Sequence, residues 1–414
     1  MSAIVGADPA ADDPYPFPEG VHGVLANARG LLRPAWRTAL YASPWARAHR
    51  QARFASAGLT APSPSLGVLA GVATDEFARA AFTLLRRPPT PAALAMSEAE
   101  LDEAAAWFAA QGWLDDPRRY HEPPTVPDAA LGTAWVDVTR WERLRFPTGW
   151  RPHPGEPGGE RWCGYPGNDT VTAYVLRHRD RPRPWLVCVH ATDMGRPVID
   201  RRLFRALHLH RELGLNIAMP VLPLHGSRRP ARGAGGEFPT LDALDNVHGL
   251  AQAAADVRQL LAWVRTQEPA GIGVLGLSLG GSVVALVAGL EPALDCVIAG
   301  LPIVDFPEVF RRNAPPETRY VPRYEALLEQ AGVVHQVVSP LRFDPATLPE
   351  RRFVFAGLCD RLVDPVHHAA ALADHWGRPR VHWYAGGHVG HLVDRGIGPF
   401  VDEALRDTGL IDAP

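Results

Sequence analysis

The feature that most constrains this chain is a G-x-S-x-G pentapeptide at residues 276–280, with Ser278 at its centre. It follows an apolar, strand-like run at 272–275 and precedes a small-residue helical pattern over 282–290. A strand, a sharp turn and a helix in that order lift the central serine into a strained, exposed position above a sheet. Glycines suit both flanks, because a Cβ there would collide with the opposite limb. The pattern predicts a nucleophilic Ser278; a serine that only caps the helix is the alternative.

Beyond residue 133, short apolar segments alternate with helical patterns, which is typical of a parallel sheet with helices on both faces. The strands are predicted near residues 133–138, 171–177, 185–189, 215–219, 273–277, 296–300, 352–356 and 380–384. The helices are predicted near 200–213, 247–266, 279–290 and 399–407. A helical stretch at about 303–345 interrupts the alternation, and we interpret it as a cap insertion.

The residues before this predicted sheet differ from it in composition and pattern. Residues 1–20 are acidic and proline-rich and are expected to lack fixed structure. Residues 21–132 are predicted to form a helical N-terminal extension that ends in a proline-rich linker. The catalytic domain is then expected to span 133–414. Two interpretations of the helices in the extension and the insertion remain open: they cover the active site, or they complete the core.

Composition excludes several functions. The net charge is −3 and the chain has no lysine, which argues against nucleic acid or an anionic membrane as a partner and excludes a P-loop, a Schiff base and a Ser-Lys dyad. The four cysteines include no C-x-x-C pair, and we expect neither a transmembrane segment nor a charged leader. We expect a soluble, cytoplasmic protein without a cofactor. No histidine set has metal-ligand spacing, so no metal is expected. The oligomeric state stays open.

A nucleophilic serine needs a base, and the base needs an acid to orient it. In an open α/β sheet the reacting groups gather at the carboxyl ends of the strands. Asp360 follows the predicted strand at 352–356, and His388 follows the one at 380–384 after a Gly-Gly loop. The chain order Ser278, Asp360, His388 predicts a triad. The sharp turn that carries Ser278, called the nucleophile elbow, also supplies an oxyanion donor, the N–H of Leu279 at the start of the helix.

Alternatives to this assignment remain open. Asp364 lies in the same loop as Asp360, and Asp305 follows the neighbouring strand at 296–300, so either offers an acid. His391 is the alternative base, in the turn after His388.

These motifs resemble those of the α/β-hydrolases over residues 133–408. The loop after the strand at 185–189 reads His190-Ala191 where that family usually has His-Gly, and residues 220–228 hold a similar Pro…His-Gly turn. The resemblance implies that the N–H of Ala191 or Thr192 is the second oxyanion donor. The Pro-x-x-Gly-x-Arg turn together with Gly-x-Ser-x-Gly-Gly is also similar to the α/β-hydrolase domain-containing protein 18 group.

The function that these observations predict is serine hydrolysis of a small-molecule carboxylic ester, with an apolar or lipid-like acyl group. Ser278 would attack the acyl carbon, His388 would act as base and then as acid, and Asp360 would orient His388. The same groups would serve an acyltransferase, a thioesterase or a peptidase. A non-catalytic binding protein that keeps the fold is the alternative from another class.

Overall fold

Nine strands between residues 130 and 384 form one sheet in the part of the chain that the structure describes. The structure is a computed structural model that describes residues 24–85, 91–230, 238–314 and 323–412. The strands are β1 (Ala130–Val136), β2 (Thr139–Pro147), β3 (Thr170–Leu176), β4 (Trp185–Val189), β5 (Asn216–Pro220), β6 (Ile272–Leu277), β7 (Cys296–Gly300), β8 (Arg352–Gly357) and β9 (Arg380–Tyr384).

The strand order is β1-β2-β3-β5-β4-β6-β7-β8-β9. Strands β1, β2, β3 and β5 pair antiparallel in succession, and every pair from β5 through β4 to β9 is parallel. Because the parallel strands point the same way, the loops after β4, β6, β7, β8 and β9 meet at one edge of the sheet. All the predicted site residues lie in these loops or at the start of the helix that follows β6.

Thirteen α-helices accompany the sheet in the described residues. They are α1 (Val24–Tyr41), α2 (Pro44–Ser56), α3 (Leu66–Leu85), α4 (Pro91–Ala110), α5 (Gly159–Cys163), α6 (Pro197–Leu203), α7 (Ala206–Arg211), α8 (Ala243–Arg265), α9 (Leu279–Leu290), α10 (Phe306–Asn313), α11 (Tyr324–His335), α12 (Ala371–His375) and α13 (Ile397–Asp407).

Two apolar cores lie on opposite faces of the sheet. Alternate side chains of β4 enter different cores, Val187 on one face and Leu186 on the other, as the two-residue period of a strand requires. Helices α8, α9 and α12 contribute to the first core, and α7 and α13 contribute to the second. The predicted fold class, a mostly parallel sheet with helices on both faces, is confirmed.

Two local predictions differ from the structure. The strand β2 was not predicted, because charged residues separate its buried side chains and these divide between its two faces, with Trp141 in the second core and Leu144 and Phe146 in the first. The single helix predicted over 200–213 is divided into α6 and α7, since Arg205 between them has a φ of +52°. A left-handed residue cannot continue a right-handed helix.

The N-terminal helices pack onto the sheet domain and onto the insertion. Leu101 and Phe108 of α4 share the first core with Leu327 of α11, and α11 with α10 forms the helical part of the 303–345 stretch. Val68 and Val72 of α3 form a small cluster with Tyr41 and Cys359. The prediction for residues 1–20 lies outside the described residues.

Within the described residues, no helix has both the length and the apolar character required to cross a bilayer.

Candidate active site

The turn between β6 and α9 holds Ser278 in a backbone conformation that favours glycine. Its φ is +53° and its ψ is −113°, and its N–H donates to the Gly300 carbonyl at 2.8 Å. Non-glycine residues in such conformations are strained and persist where the surrounding structure fixes them, often at active sites. The side chain lies at the carboxyl end of β6 and is 7% exposed.

No side chain fits at either end of the pentapeptide. A Cβ added to Gly276 would lie 2.0 Å from the carbonyl oxygen of Gly280, and one added to Gly280 would lie 2.0 Å from the carbonyl oxygen of Val189. The turn closes this tightly because both positions are glycine. The second contact also seats the start of α9 against the end of β4.

The structure brings Ser278, His388 and Asp360 into one hydrogen-bonded row. His388 Nε2 lies 3.0 Å from Ser278 Oγ, and His388 Nδ1 lies 2.6 Å from Asp360 Oδ2. With a neutral imidazole, the serine hydroxyl donates to Nε2 while Nδ1–H donates to the carboxylate. These are the distances that a base needs to take a proton from a nucleophile and that an acid needs to orient the base.

Two short loops position the acid and the base. The acid loop, residues 358–364, follows β8, and the histidine loop, residues 385–391, follows β9. Asp360 Oδ1 accepts from the backbone N–H groups of Leu362 and Val363, each at 2.8 Å, which leaves Oδ2 for His388. Tyr384 donates from its hydroxyl to the Gly387 carbonyl at 2.9 Å. Each loop is therefore fixed by its own hydrogen bonds.

The electrostatic surroundings favour a protonated His388. Burial by itself would lower the pKa of His388, because a charged ring loses its solvation there. The nearby carboxylates of Asp360 and Asp75 outweigh burial, and the pKa of His388 is raised above its usual value. Fixed negative charges therefore stabilise the proton that this imidazole would accept.

The alternative acids are engaged elsewhere. Asp305 caps α10 by accepting from the Glu308 N–H at 3.1 Å, and its other oxygen lies 2.9 Å from His367 Nε2. Asp364 accepts from two backbone N–H groups of its own turn and pairs with Arg312 at 3.1 Å. Of the three candidate carboxylates, Asp360 is the one that the structure places against the ring of His388.

The alternative base also has another partner. The ring of His391 donates from Nδ1 to the backbone carbonyl of His388 at 2.7 Å. Burial lowers the pKa of His391 to about 4. His391 thus supports the histidine loop, while the ring of His388 faces Ser278.

The predicted oxyanion segments adjoin one another beside Ser278. Leu279 is the first residue of α9, and Ala191 and Thr192 lie just beyond the end of β4. The contact of Gly280 with the backbone at residues 189–190 brings the two segments together. Backbone N–H groups in such a place are what a developing oxyanion requires.

The loop after β4 accommodates alanine where the α/β-hydrolases usually have glycine. Among the described residues, left-handed conformations in this loop occur at Asp193 and Gly195, with φ of +62° and +88°, and not at Ala191. His190 Nδ1–H donates to the Ala191 carbonyl at 2.8 Å, and its Nε2 accepts from the Leu222 N–H at 3.0 Å. Burial, with a smaller contribution from His225, lowers the pKa of His190 to about 3, so the ring is neutral and makes both bonds.

Sequence reasoning missed one contact at this site. Asp75 of α3 is completely buried and accepts hydrogen bonds from the backbone of His388 and Arg361, at 2.6 and 2.9 Å. The signal was the acidic pair Asp75-Glu76 within a mainly apolar helix.

An apolar cleft lies between α4, α8, α10 and α11. Most of its lining is apolar and includes Leu101, Phe306, Phe310 and Leu327. Ser278 and His388 do not line it, and the loop after β7 lies between α9 and α10. The N–H of Ile303 in that loop donates to Ser282 Oγ at 3.0 Å, one turn of α9 beyond the nucleophile.

In the part of the chain that the structure describes, no group of three or more His, Cys, Asp or Glu side chains is arranged to hold a metal ion.

The sheet order, the elbow and the loops that carry the predicted site residues define an α/β-hydrolase fold. No family model matches the chain. The chain is 43% identical over 317 residues to two uncharacterized proteins of Mycobacterium tuberculosis, MT2702 of strain CDC 1551 and Rv2627c of strain H37Rv. The matches cover 76% of this chain and 76% of each relative. The chain belongs to the family of these two proteins.

Two solved structures have a similar fold. Acetyl xylan esterase 1 from Thermoanaerobacterium sp. JW/SL YS485 has a TM-score of 0.52 and 17% sequence identity, over 73% of this chain and 93% of that one. Acetyl xylan esterase from Paenibacillus sp. R4 has a TM-score of 0.50 and 16% identity, over 75% of this chain and 95% of that one. These relatives do not support the narrower resemblance to the α/β-hydrolase domain-containing protein 18 group.

Proposed function

We propose that this chain is a serine hydrolase that cleaves carboxylic esters through an acyl-enzyme on Ser278. The observation that carries the proposal is the hydrogen-bonded row in which His388 contacts Ser278 at 3.0 Å and Asp360 at 2.6 Å. A hydroxyl on a strained turn, a base within reach of it and an acid behind the base are the parts that acyl transfer requires.

In the proposed reaction, Ser278 Oγ bonds to the acyl carbon while its proton passes to His388 Nε2. The bond between the acyl carbon and the alcohol oxygen then breaks, and His388 gives the proton to the departing alkoxide. Water next attacks the acyl-enzyme, with its proton taken by His388. That proton returns to Ser278 Oγ as the carboxylic acid leaves. Asp360 keeps the proton of His388 on Nδ1, so that Nε2 faces the nucleophile.

The backbone N–H groups of Leu279 and of Ala191 or Thr192 are proposed to bind the oxyanion of the tetrahedral intermediate. Each such donor contributes about 3 kcal/mol to the transition state in enzymes of this type. The proposal is supported by the packing of Gly280 against the end of β4, which sets the start of α9 beside the loop at 190–192.

A fluorophosphonate probe tests this function directly. The wild-type chain is expected to bind one equivalent of probe, with the added mass on the peptide that contains Ser278. The Ser278→Ala variant is expected to remain unlabelled. Ser282→Ala is the matched control, since Ser282 lies one turn further along α9 and bonds to backbone groups. A folded wild-type chain that takes no probe would contradict the proposal and favour a non-catalytic binding protein.

We further propose that the acyl group is apolar, because an apolar cleft is lined by α10 and α11, which follow β7, the strand that pairs with the strand before Ser278. A series of p-nitrophenyl esters from acetate to octanoate is expected to show kcat/KM rising with chain length. The upper limit is about fourfold per methylene, from about 0.8 kcal/mol per buried CH2. The two structural neighbours are named acetyl xylan esterases, so acetate is the natural competitor. Turnover of acetate equal to that of octanoate would contradict an apolar preference.

The acyl acceptor and the type of bond cleaved distinguish an esterase from an acyltransferase, a thioesterase or a peptidase. Transfer to an added alcohol or amine, measured against release of free acid, would identify an acyltransferase. Faster cleavage of matched thioesters or peptides would instead identify a thioesterase or a peptidase.

A further inference from the structure

The N-terminal helix α3 brings a buried carboxylate, that of Asp75, to the backbone of the candidate active site. Asp75 lies near the middle of α3 and has no solvent exposure. Its Oδ2 accepts from the backbone N–H of His388 at 2.6 Å and from that of Arg361 at 2.9 Å. Its Oδ1 accepts from the N–H of Val389 at 3.0 Å. The three donors thus belong to the histidine loop and the acid loop, beside or at the residues of the triad.

We propose that Asp75 is a positioning residue that fixes the acid loop and the histidine loop relative to each other and places a negative charge behind His388. This inference rests on the proposed function, since it assigns Asp75 to the same hydrolytic site. Asp75 does not duplicate Asp360: it bonds to the backbone of His388, whereas Asp360 bonds to the ring. One carboxylate therefore orients the imidazole and the other orients the loop that carries it.

Two glycines set the close approach of α3 to the histidine loop. A Cβ added to Gly387 would lie 2.4 Å from Asp75 Oδ2, and one added to Gly71 would lie 3.3 Å from the Gly387 backbone nitrogen. A side chain on the loop would therefore displace the carboxylate. The second glycine of the Gly-Gly pair before His388 is explained by this helix.

The neighbouring Glu76 holds the helix in place. It is almost fully buried, and its Oε1 accepts from Arg361 Nε at 2.8 Å. Arg37 and Arg79 lie 3.6 and 3.7 Å from its other oxygen. Positive charge so close outweighs burial, and the pKa of Glu76 is lowered. Glu76 thus anchors α3 to the Arg361 side chain, while Asp75 bonds to the loop backbones.

The charge of Asp75 depends on pH near neutrality. Burial, and then the charge of Asp360, raise the pKa of Asp75 to about 6, against the opposing charge of His388. The other titratable groups that face it are Cys359 of the acid loop and Tyr384 of β9, and Arg361 and Glu76 complete its charged surroundings. Above pH 6 the carboxylate is mostly ionised, and its charge raises the pKa of His388.

The test is a pair of substitutions that separate charge from position. Asp75→Asn keeps the shape of the side chain and removes its charge. It is expected to lower kcat about 10- to 100-fold, because the two loops shift, and to leave KM unchanged, because Asp75 itself does not contact substrate. The acidic limb of the kcat/KM profile is expected to move down by about one pH unit, since the pKa of His388 falls when the carboxylate is lost. Asp75→Glu keeps the charge and moves it, so kcat is expected to fall without that shift.

Glu76→Gln is the matched control, since it removes a buried charge from the next position of α3 without touching the backbone of the histidine loop. It is expected to lower the melting temperature and to leave the acidic limb in place. The proposal is overturned if Asp75→Asn keeps the wild-type kcat and acidic limb, or if Glu76→Gln moves the limb as far. If Asp75→Asn does not fold, Asp75→Glu decides: a wild-type kcat in that variant excludes positioning.

A readout without turnover separates this inference from the proposed function. NMR can follow the pKa of the His388 ring, with the His388→Gln variant used to assign its signals. This pKa is expected to fall in Asp75→Asn. A wild-type chain that neither takes the fluorophosphonate probe nor cleaves esters contradicts the proposed function. An unchanged pKa of the His388 ring in Asp75→Asn contradicts the role of Asp75, even if the wild-type chain proves to be an active enzyme.

Discussion

Substitution of His388 by glutamine is expected to lower kcat for a p-nitrophenyl ester by about a millionfold, to the level of a chain without its nucleophile. The amide keeps a polar side chain near Ser278 but cannot take the hydroxyl proton at neutral pH. His388 Nε2 is the atom that contacts Ser278 Oγ at 3.0 Å. The measurement is single-turnover release of p-nitrophenol.

The double variant Ser278→Ala with His388→Gln makes this prediction sharper. Nucleophile and base act as one unit, so removing both is expected to cost no more than removing either. His391→Gln is the control, because its ring bonds to the carbonyl of His388 and not to Ser278. A loss of activity in His391→Gln that equals the loss in His388→Gln would contradict the assignment of the base.

The buried parallel strands were the most predictable part of the fold. The bounds of β4, β7 and β9 equal those predicted from the sequence. β4 and β7 are buried along their whole length and form continuous apolar runs that local pattern identifies. The strand β2 was missed because charged residues interrupt its buried side chains, and Trp141 lies on the opposite face from Leu144 and Phe146. Pattern alone thus locates the apolar strands of the parallel part of the sheet better than β2.

The residues of the candidate site that directly follow strands were predictable from the sequence. Ser278, Asp360 and His388 each follow a predicted strand, and parallel strands bring their carboxyl ends together. The choice among Asp360, Asp305 and Asp364 required coordinates, since all three follow strands of the same sheet and nothing in their spacing distinguishes them. What differs is the partner of each carboxylate.

Asp75 could not be assigned from local pattern. It lies in a helix of the N-terminal extension, more than 300 residues before Val389, and helical periodicity describes the faces of α3 but not the loop that it meets. Two adjacent acidic residues, Asp75 and Glu76, in a mainly apolar helix indicate buried carboxylates that need hydrogen-bond donors or positive charges as partners. Which groups bond to Asp75 depends on the tertiary packing of α3 against the two loops, and local sequence pattern does not reveal it.

Substitution of Asp360 by asparagine is expected to lower kcat by about 10⁴-fold while leaving the fold intact. An amide can donate to Nδ1, which favours the tautomer with the proton on Nε2, and that nitrogen then cannot accept from Ser278. The amide also removes the charge that raises the pKa of His388. The acidic limb of the pH profile is therefore expected to move to lower pH, because His388 must be neutral to act as a base and loses its proton more easily without the carboxylate.

Asp305→Asn is the matched control for this substitution. Asp305 also lies after a strand of the sheet and pairs with a histidine, His367, at 2.9 Å, and it caps α10. Asparagine caps a helix as well as aspartate does, so the amide variant loses only the charge beside His367. It is expected to change stability by less than about 1 kcal/mol and to keep nearly wild-type kcat. Thermal denaturation and the pH profile of kcat/KM distinguish the two variants. The reverse pattern, with kcat lost in Asp305→Asn and kept in Asp360→Asn, would assign the acid to the loop after β7 and contradict the role of Asp360.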